Sequence, residues 1–140
     1  MILYLGTSSL AKLYVEEKYS DIVRDWVEKA EIIATCRVAY TEMISALELK
    51  VKQNDLSTND YNHIMKRFAH DWLNFAIVDF DEREAGGFVK KYGLTRFAAI
   101  HLSAAKLIQK ELNDISLSFS SVDENLREAA STEGLKVLNF

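Results

Sequence analysis

The chain of 140 residues has no proline, one cysteine, five glycines and no apolar run near the roughly 18 residues of a membrane span. With no Pro-rich or flexible stretch to act as a linker, residues 1–140 are expected to form one domain. The lone Cys36 can close no internal disulfide and has no Cys/His neighbours at metal-ligand spacing, so it reads as a small buried hydrophobe. The amino terminus lacks the basic region and long apolar stretch of a signal peptide, and a cytoplasmic protein without membrane association is expected. An excess of positive charge is missing too: the net charge is −4, which excludes a global electrostatic footprint for nucleic acid and leaves only local contact. Neither G-x-G-x-x-G nor G-x-x-x-x-G-K-S/T occurs, which argues against a nucleotide cradle at Gly6.

What is present is an ordinary globular mix, 49% apolar and 27% charged. Short apolar runs at Ile2–Leu5, Ile32–Thr35, Phe75–Val78, Ile115–Phe119 and Leu135–Leu138 read as strands. Between them lie stripes at helical spacing. A pattern over Leu10–Val15 follows Gly6-Thr7-Ser8, with Thr7 or Ser8 as a helix cap. Another helix runs over Ile22–Ala30 behind a Ser20-Asp21 cap, and a third carries Tyr40, Met43, Ile44, Leu47 and Val51. Capped at Ser57 or Thr58, a fourth presents Tyr61, Ile64, Met65, Phe68 and Trp72 and forms a hairpin with the third. Further helices are expected from Asp81 to about Lys91 before Gly93, over Phe97–Leu112, and from Asp123 to about Glu133 before Gly134. Strands that are apolar throughout and alternate with helices predict a three-layer α/β/α fold with a central parallel sheet of about five short strands.

In such a sheet chemistry gathers at the carboxyl edge of the strands. The residues there are Gly6-Thr7-Ser8 after the first strand and Ser120-Ser121-Val122-Asp123 after the fourth, with Glu42 and the segment around Ala98 on helices that start nearby. In these segments, and over essentially the whole chain, the sequence resembles the PIN domains, in particular the VapC-type toxins of toxin–antitoxin pairs. The likeness runs from Met1-Ile2-Leu3-Tyr4-Leu5 through Val38-Ala39-Tyr40-Thr41-Glu42 to Gly134-Leu135-Lys136-Val137-Leu138. That family ends its first strand in Asp-Thr-Ser, places a Glu after an aromatic residue, starts a helix with Ala-Asp-Ala-aliphatic-His-Leu, and ends its fourth strand in Thr- or Ser-x-Asp. Four acids there bind Mg²⁺ or Mn²⁺ and activate water to cleave RNA, in keeping with the oxygen preference of hard cations.

By that resemblance Glu42 and Asp123 are the candidate catalytic and metal-ligating residues, supported by Thr7, Ser8 and Ser121. The first and third acidic positions are Gly6 and Ala98 instead. A divalent ion about 4 Å from one carboxylate gains about 8 kcal/mol of gross Coulomb energy at an effective dielectric of about 20, so two missing carboxylates should weaken Mg²⁺ or Mn²⁺ binding by orders of magnitude. The expectation is impaired catalysis, with an active metal-dependent endoribonuclease using the remaining acids as the alternative. Loss of activity in the lineage or during cloning would leave the same pair of replacements. Arg96, beside the third acidic position, is placed to reach a phosphate or a remaining carboxylate. Asp123 also suits a helix cap, His101 reads as structural, and His63 and His70, seven apart on one helix, read as a solvated edge. The resemblance implies an antitoxin partner, RNA if the protein is active, and a homodimer. Tyr61, Phe68 and Trp72 on the helical hairpin are the expected apolar surface for a second copy or an antitoxin.

Overall fold

The first strand, β1 (Ile2–Leu5), is buried along its whole length. Side chains alternate between the two faces of a strand, and here each face meets its own core. Ile2 and Tyr4 enter one cluster with Phe88, Ala99, Leu102, Phe119 and Leu126, while Leu3 and Leu5 enter another with Leu10, Met43, Leu47 and Phe68. The computed structural model describes residues 1–140. After β1 come α1 (Thr7–Ala11), α2 (Ser20–Lys29), β2 (Ile32–Cys36), α3 (Ala39–Lys52), α4 (Thr58–Trp72), β3 (Ala76–Val78), α5 (Glu82–Tyr92), α6 (Arg96–Glu111), β4 (Leu117–Ser120), α7 (Glu124–Thr132) and β5 (Lys136–Val137).

All strand pairs are parallel, in the order β3-β2-β1-β4-β5. Helices α5, α6 and α7 supply the core on the Tyr4 face, and α1 to α4 supply it on the Leu5 face. This is the three-layer α/β arrangement expected from the apolar strand runs. Helix α6 buries Ala98, Ala99, Ser103, Ala104 and Ala105, small side chains that let its backbone approach the sheet closely. Glycine ends two helices as expected: Gly93 (φ +66°) and Gly134 (φ +87°) take the left-handed conformation that only glycine adopts without cost. No helix is long and apolar enough to cross a membrane.

Several local expectations are corrected. The first helix begins at Thr7, earlier than its apolar stripe, and Gly6 is its amino-terminal cap without any side-chain hydrogen bond. Helix α2 starts at Ser20 behind a left-handed Tyr19, and the Ser20 hydroxyl accepts from Glu17 N–H and donates to the Val15 carbonyl, closing the preceding turn. Strand β4 starts at Leu117, so Ile115 falls in the loop and is 46% exposed. Strand β3 is not covered on both sides; it is the sheet edge, and Ile77 faces solvent. Cys36 is buried, as read.

Of the three hairpin aromatics Phe68 is enclosed, while Tyr61 and Trp72 are partly buried. Phe68 is fully buried, with its ring centroid 5.3 Å from Tyr14, 5.2 Å from Tyr40 and 5.6 Å from Trp72, and Tyr61 and Trp72 pack against the same cluster. Two separate cores, one on each side of the sheet, both need apolar residues, and this hairpin supplies part of the one on the Leu5 face. Phe68→Ala should therefore cost about 3–5 kcal/mol in chemical denaturation. Leu73→Ala, at a neighbouring position that is 81% exposed, should stay within about 0.5 kcal/mol of the parent.

Candidate functional site

The strand order reverses direction between β1 and β4, and an open parallel sheet forms its crevice at such a switch point, beyond the carboxyl ends of the strands. Gly6 N–H donates to the Ser120 carbonyl (2.9 Å), so the two chains stay paired just as they leave the sheet. The next three residues of α1 then tie the crevice together. The Ser8 hydroxyl accepts from Val122 N–H (3.1 Å) and lies 3.5 Å from Ser121 Oγ, and the buried Ser9 and Ser120 hydroxyls pair at 2.8 Å. Thr7 turns towards α3, where its hydroxyl donates to Glu42 Oε1 (2.9 Å). The expected Thr7 or Ser8 helix cap is thereby corrected: a carboxylate and a loop amide take these hydroxyls.

Glu42 stands in the first turn of α3, its side chain 20% exposed. His101 Nε2 lies 2.8 Å from the same Oε1 and 3.0 Å from Thr7 Oγ1, while its Nδ1 lies 2.6 Å from the Tyr4 hydroxyl. Tyr4 is fully buried, stacked on Phe119 and edge-on to His101. Burial first, then the nearby Cys36 and Glu42, push its phenol well above the ordinary tyrosine range. His101, expected to be structural, links the Tyr4 hydroxyl to the candidate carboxylate. A signal was present: His101 lies three residues after Ala98, on the same face of α6. Tyr4 gave no signal, because a tyrosine in an apolar strand reads as core.

Asp123 caps α7, with Oδ1 accepting from Leu126 N–H (3.1 Å), and Ser121 Oγ accepts from Asp123 N–H (3.1 Å). Glu42, Asp123, Gly6, Ala98 and Ser121 all border one cavity of about 150 Å³. A larger groove of about 670 Å³ adjoins it, sharing Thr7, Ser8, Glu42 and Phe97, and Leu49 lines its wall. Neither space is lined by a lysine or an arginine. Arg96 borders neither. It lines a separate cleft with Phe80, Glu82 and Val89, its guanidinium 5.8 Å from the Phe97 ring centroid, because the first residue of α6 projects to the outer side of the helix that buries Ala98. His63 and His70 are exposed on α4, away from the cleft.

For Mg²⁺ or Mn²⁺ the donor set is sparse. No three His, Cys, Asp or Glu side chains come together to hold an ion, one oxygen of Glu42 is already occupied, and with Glu42 and Asp123 as its carboxylates a hard cation would need waters or substrate oxygens to complete its shell. Sterics do not account for the glycine. A Cβ at Gly6 would lie 3.4 Å from the Ser120 carbonyl oxygen and 3.5 Å from Ser121 Cβ, ordinary contacts, and its φ of −65° suits any residue.

No protein-family model and no curated protein sequence matches the chain. Among solved structures it is similar to PAE2754 from Pyrobaculum aerophilum, with a TM-score of 0.62 and 18% identity over 97% of this chain and 87% of that one. It is also similar to FitAcB from Neisseria gonorrhoeae, with a TM-score of 0.65 and 18% identity over 99% of this chain and 97% of that one. The likeness is one of fold, the PIN-like three-layer arrangement, and it spans nearly the whole chain.

The Thr7 hydroxyl is one of two protein donors to Glu42, so Thr7→Val, close in shape, should cost about 1–2 kcal/mol in denaturant unfolding. Ser8→Ala, at an exposed position, should cost less than half as much.

Proposed function

We propose that this PIN-like domain is the toxin-like half of a toxin–antitoxin pair, that its acidic site no longer supports phosphodiester hydrolysis, and that it acts by binding a protein partner over the cleft. The observation that carries the proposal is the content of the cavity: two carboxylates, Glu42 and Asp123, and no lysine, arginine or metal donor set. Without a divalent ion those carboxylates repel the phosphates of RNA, and a cationic group is the favoured occupant. The adjoining groove adds Leu49 and Phe97, which are 54% and 43% exposed, so a partner bearing a basic side chain flanked by apolar ones matches its chemistry. A small antitoxin-like protein fits that description.

The test restores the acids. Gly6→Asp enters a position with ordinary contacts, and Ala98→Asp puts a carboxylate in the first turn of α6, where no acidic residue now meets the helix dipole. In Mn²⁺ calorimetry and cleavage of a mixed single-stranded RNA pool, the double variant should bind the metal orders of magnitude more tightly than the parent and cut RNA, while the parent cuts little or none. Comparable binding and cleavage by the unaltered chain would instead establish an active Mg²⁺- or Mn²⁺-dependent endoribonuclease working through Glu42 and Asp123.

A further inference from the structure

We propose that Tyr4 and His101 are positioning residues that hold Glu42 as a one-oxygen acceptor, so that the cleft offers a cationic partner a single-point contact. This rests on the reading of Glu42 as the cleft's cation-binding group. A carboxylate only accepts hydrogen bonds, so the His101 nitrogen 2.8 Å from Glu42 Oε1 carries the hydrogen. With Nε2 as the donor, Nδ1 is left to accept, and the Tyr4 hydroxyl at 2.6 Å donates into it. Burial keeps that phenol protonated, which suits its role as donor. The proposed proton order runs from the sheet outward: Tyr4 to His101, His101 to Glu42.

Thr7 completes the arrangement on the same atom. Its single hydroxyl hydrogen goes to Oε1, so Oε1 receives two hydrogens while Oε2 has no protein partner and is not among the fold's buried unpaired atoms. Three elements converge on one oxygen: α1 through Thr7, α3 through Glu42 and α6 through His101. A carboxylate with both oxygens free takes the planar fork of a guanidinium bidentately and prefers it to an ammonium. With one oxygen committed, Glu42 loses the geometric basis for that preference, and an ammonium and a guanidinium on equal scaffolds should bind about equally well.

The experiment uses the full chain and has two readouts. The first is ligand-free: ¹⁵N–¹H NMR of the imidazole rings, in which exposed His63 and His70 serve as references for averaged tautomers. His101 should show the Nε2–H tautomer, and Tyr4→Phe, which removes only the hydroxyl, should shift it towards a mixture. The second is an NMR titration of the Glu42 carboxyl carbon with phenethylammonium and phenethylguanidinium. The affinity ratio should lie within about twofold of one in the parent and rise severalfold for guanidinium in Tyr4→Phe, as the His101 donor is no longer held on Oε1 and only the Thr7 hydroxyl, free to rotate away, remains there. His101→Gln, which keeps an N–H donor towards Glu42, should hold the ratio near the parent's.

An Nδ1–H tautomer in the parent overturns the proposal without any variant. So does a Tyr4→Phe protein whose ring pattern and affinity ratio equal the parent's. If the Nε2–H tautomer stands but neither cation shifts Glu42, it is the cation-binding reading of the cleft that has failed, and the positioning role falls with it.

Discussion

Burial of β1 on both faces is the constraint on which the rest of the molecule depends. A four-residue strand covered above and below needs two apolar layers, and each layer recruits its own helices. The same strand sits where the sheet order turns back on itself, so its carboxyl end must open into a crevice. The residues that leave that end, Gly6 to Ser9, do not drift into solvent. A backbone bond to Ser120 and three successive hydroxyls lash them to β4, to the loop before α7 and to α3. The position of the cleft follows from packing; its chemistry follows from what stands on the lashings.

That chemistry is governed by subtraction. The fold brings Glu42, Asp123, Gly6 and Ala98 to one small cavity, and only two of the four carry charge. Two carboxylates without a counter-cation make a different object from four with one. On the proposed reading, repulsion that a divalent ion would reverse acts directly on any polyanion that approaches. On that same reading, the fold sets the shape of the cleft and the side chains that border it set the sign of the partner it would prefer.

The architecture was legible in the sequence because it rests on features that local composition reports directly. Apolar runs alternating with helical stripes gave the parallel sheet, and glycines at 93 and 134 marked helix ends that the structure places there. Glu42 and Asp123 were located correctly on the carboxyl edge by their spacing from strands and helices. What escaped were contacts between residues far apart in the chain. Tyr4 and His101 are separated by 97 positions, and nothing in either neighbourhood announces that a phenol in a strand will meet an imidazole on a helix. Arg96 failed for the opposite reason: its nearness in sequence to Ala98 was read as nearness to the cleft, whereas adjacent residues on a helix point in different directions. Of the hairpin aromatics Phe68 belongs to the core, and its enclosure by Tyr14, Tyr40 and Trp72 cannot be counted from one helix's stripe.

The space around Gly6 also bears on how such a chain can change over generations. A Cβ at that position would meet only ordinary contacts, the backbone there asks nothing special of it, and the glycine forms no side-chain cap. Backbone conformation and Cβ sterics therefore do not demand a glycine there. An acid would add a third carboxylate to the cavity of Glu42 and Asp123, so the choice is one of charge rather than of space. The residue at this corner drifts, or is held, according to what the cleft does for the cell, and codons for glycine and aspartate lie as little as one base apart.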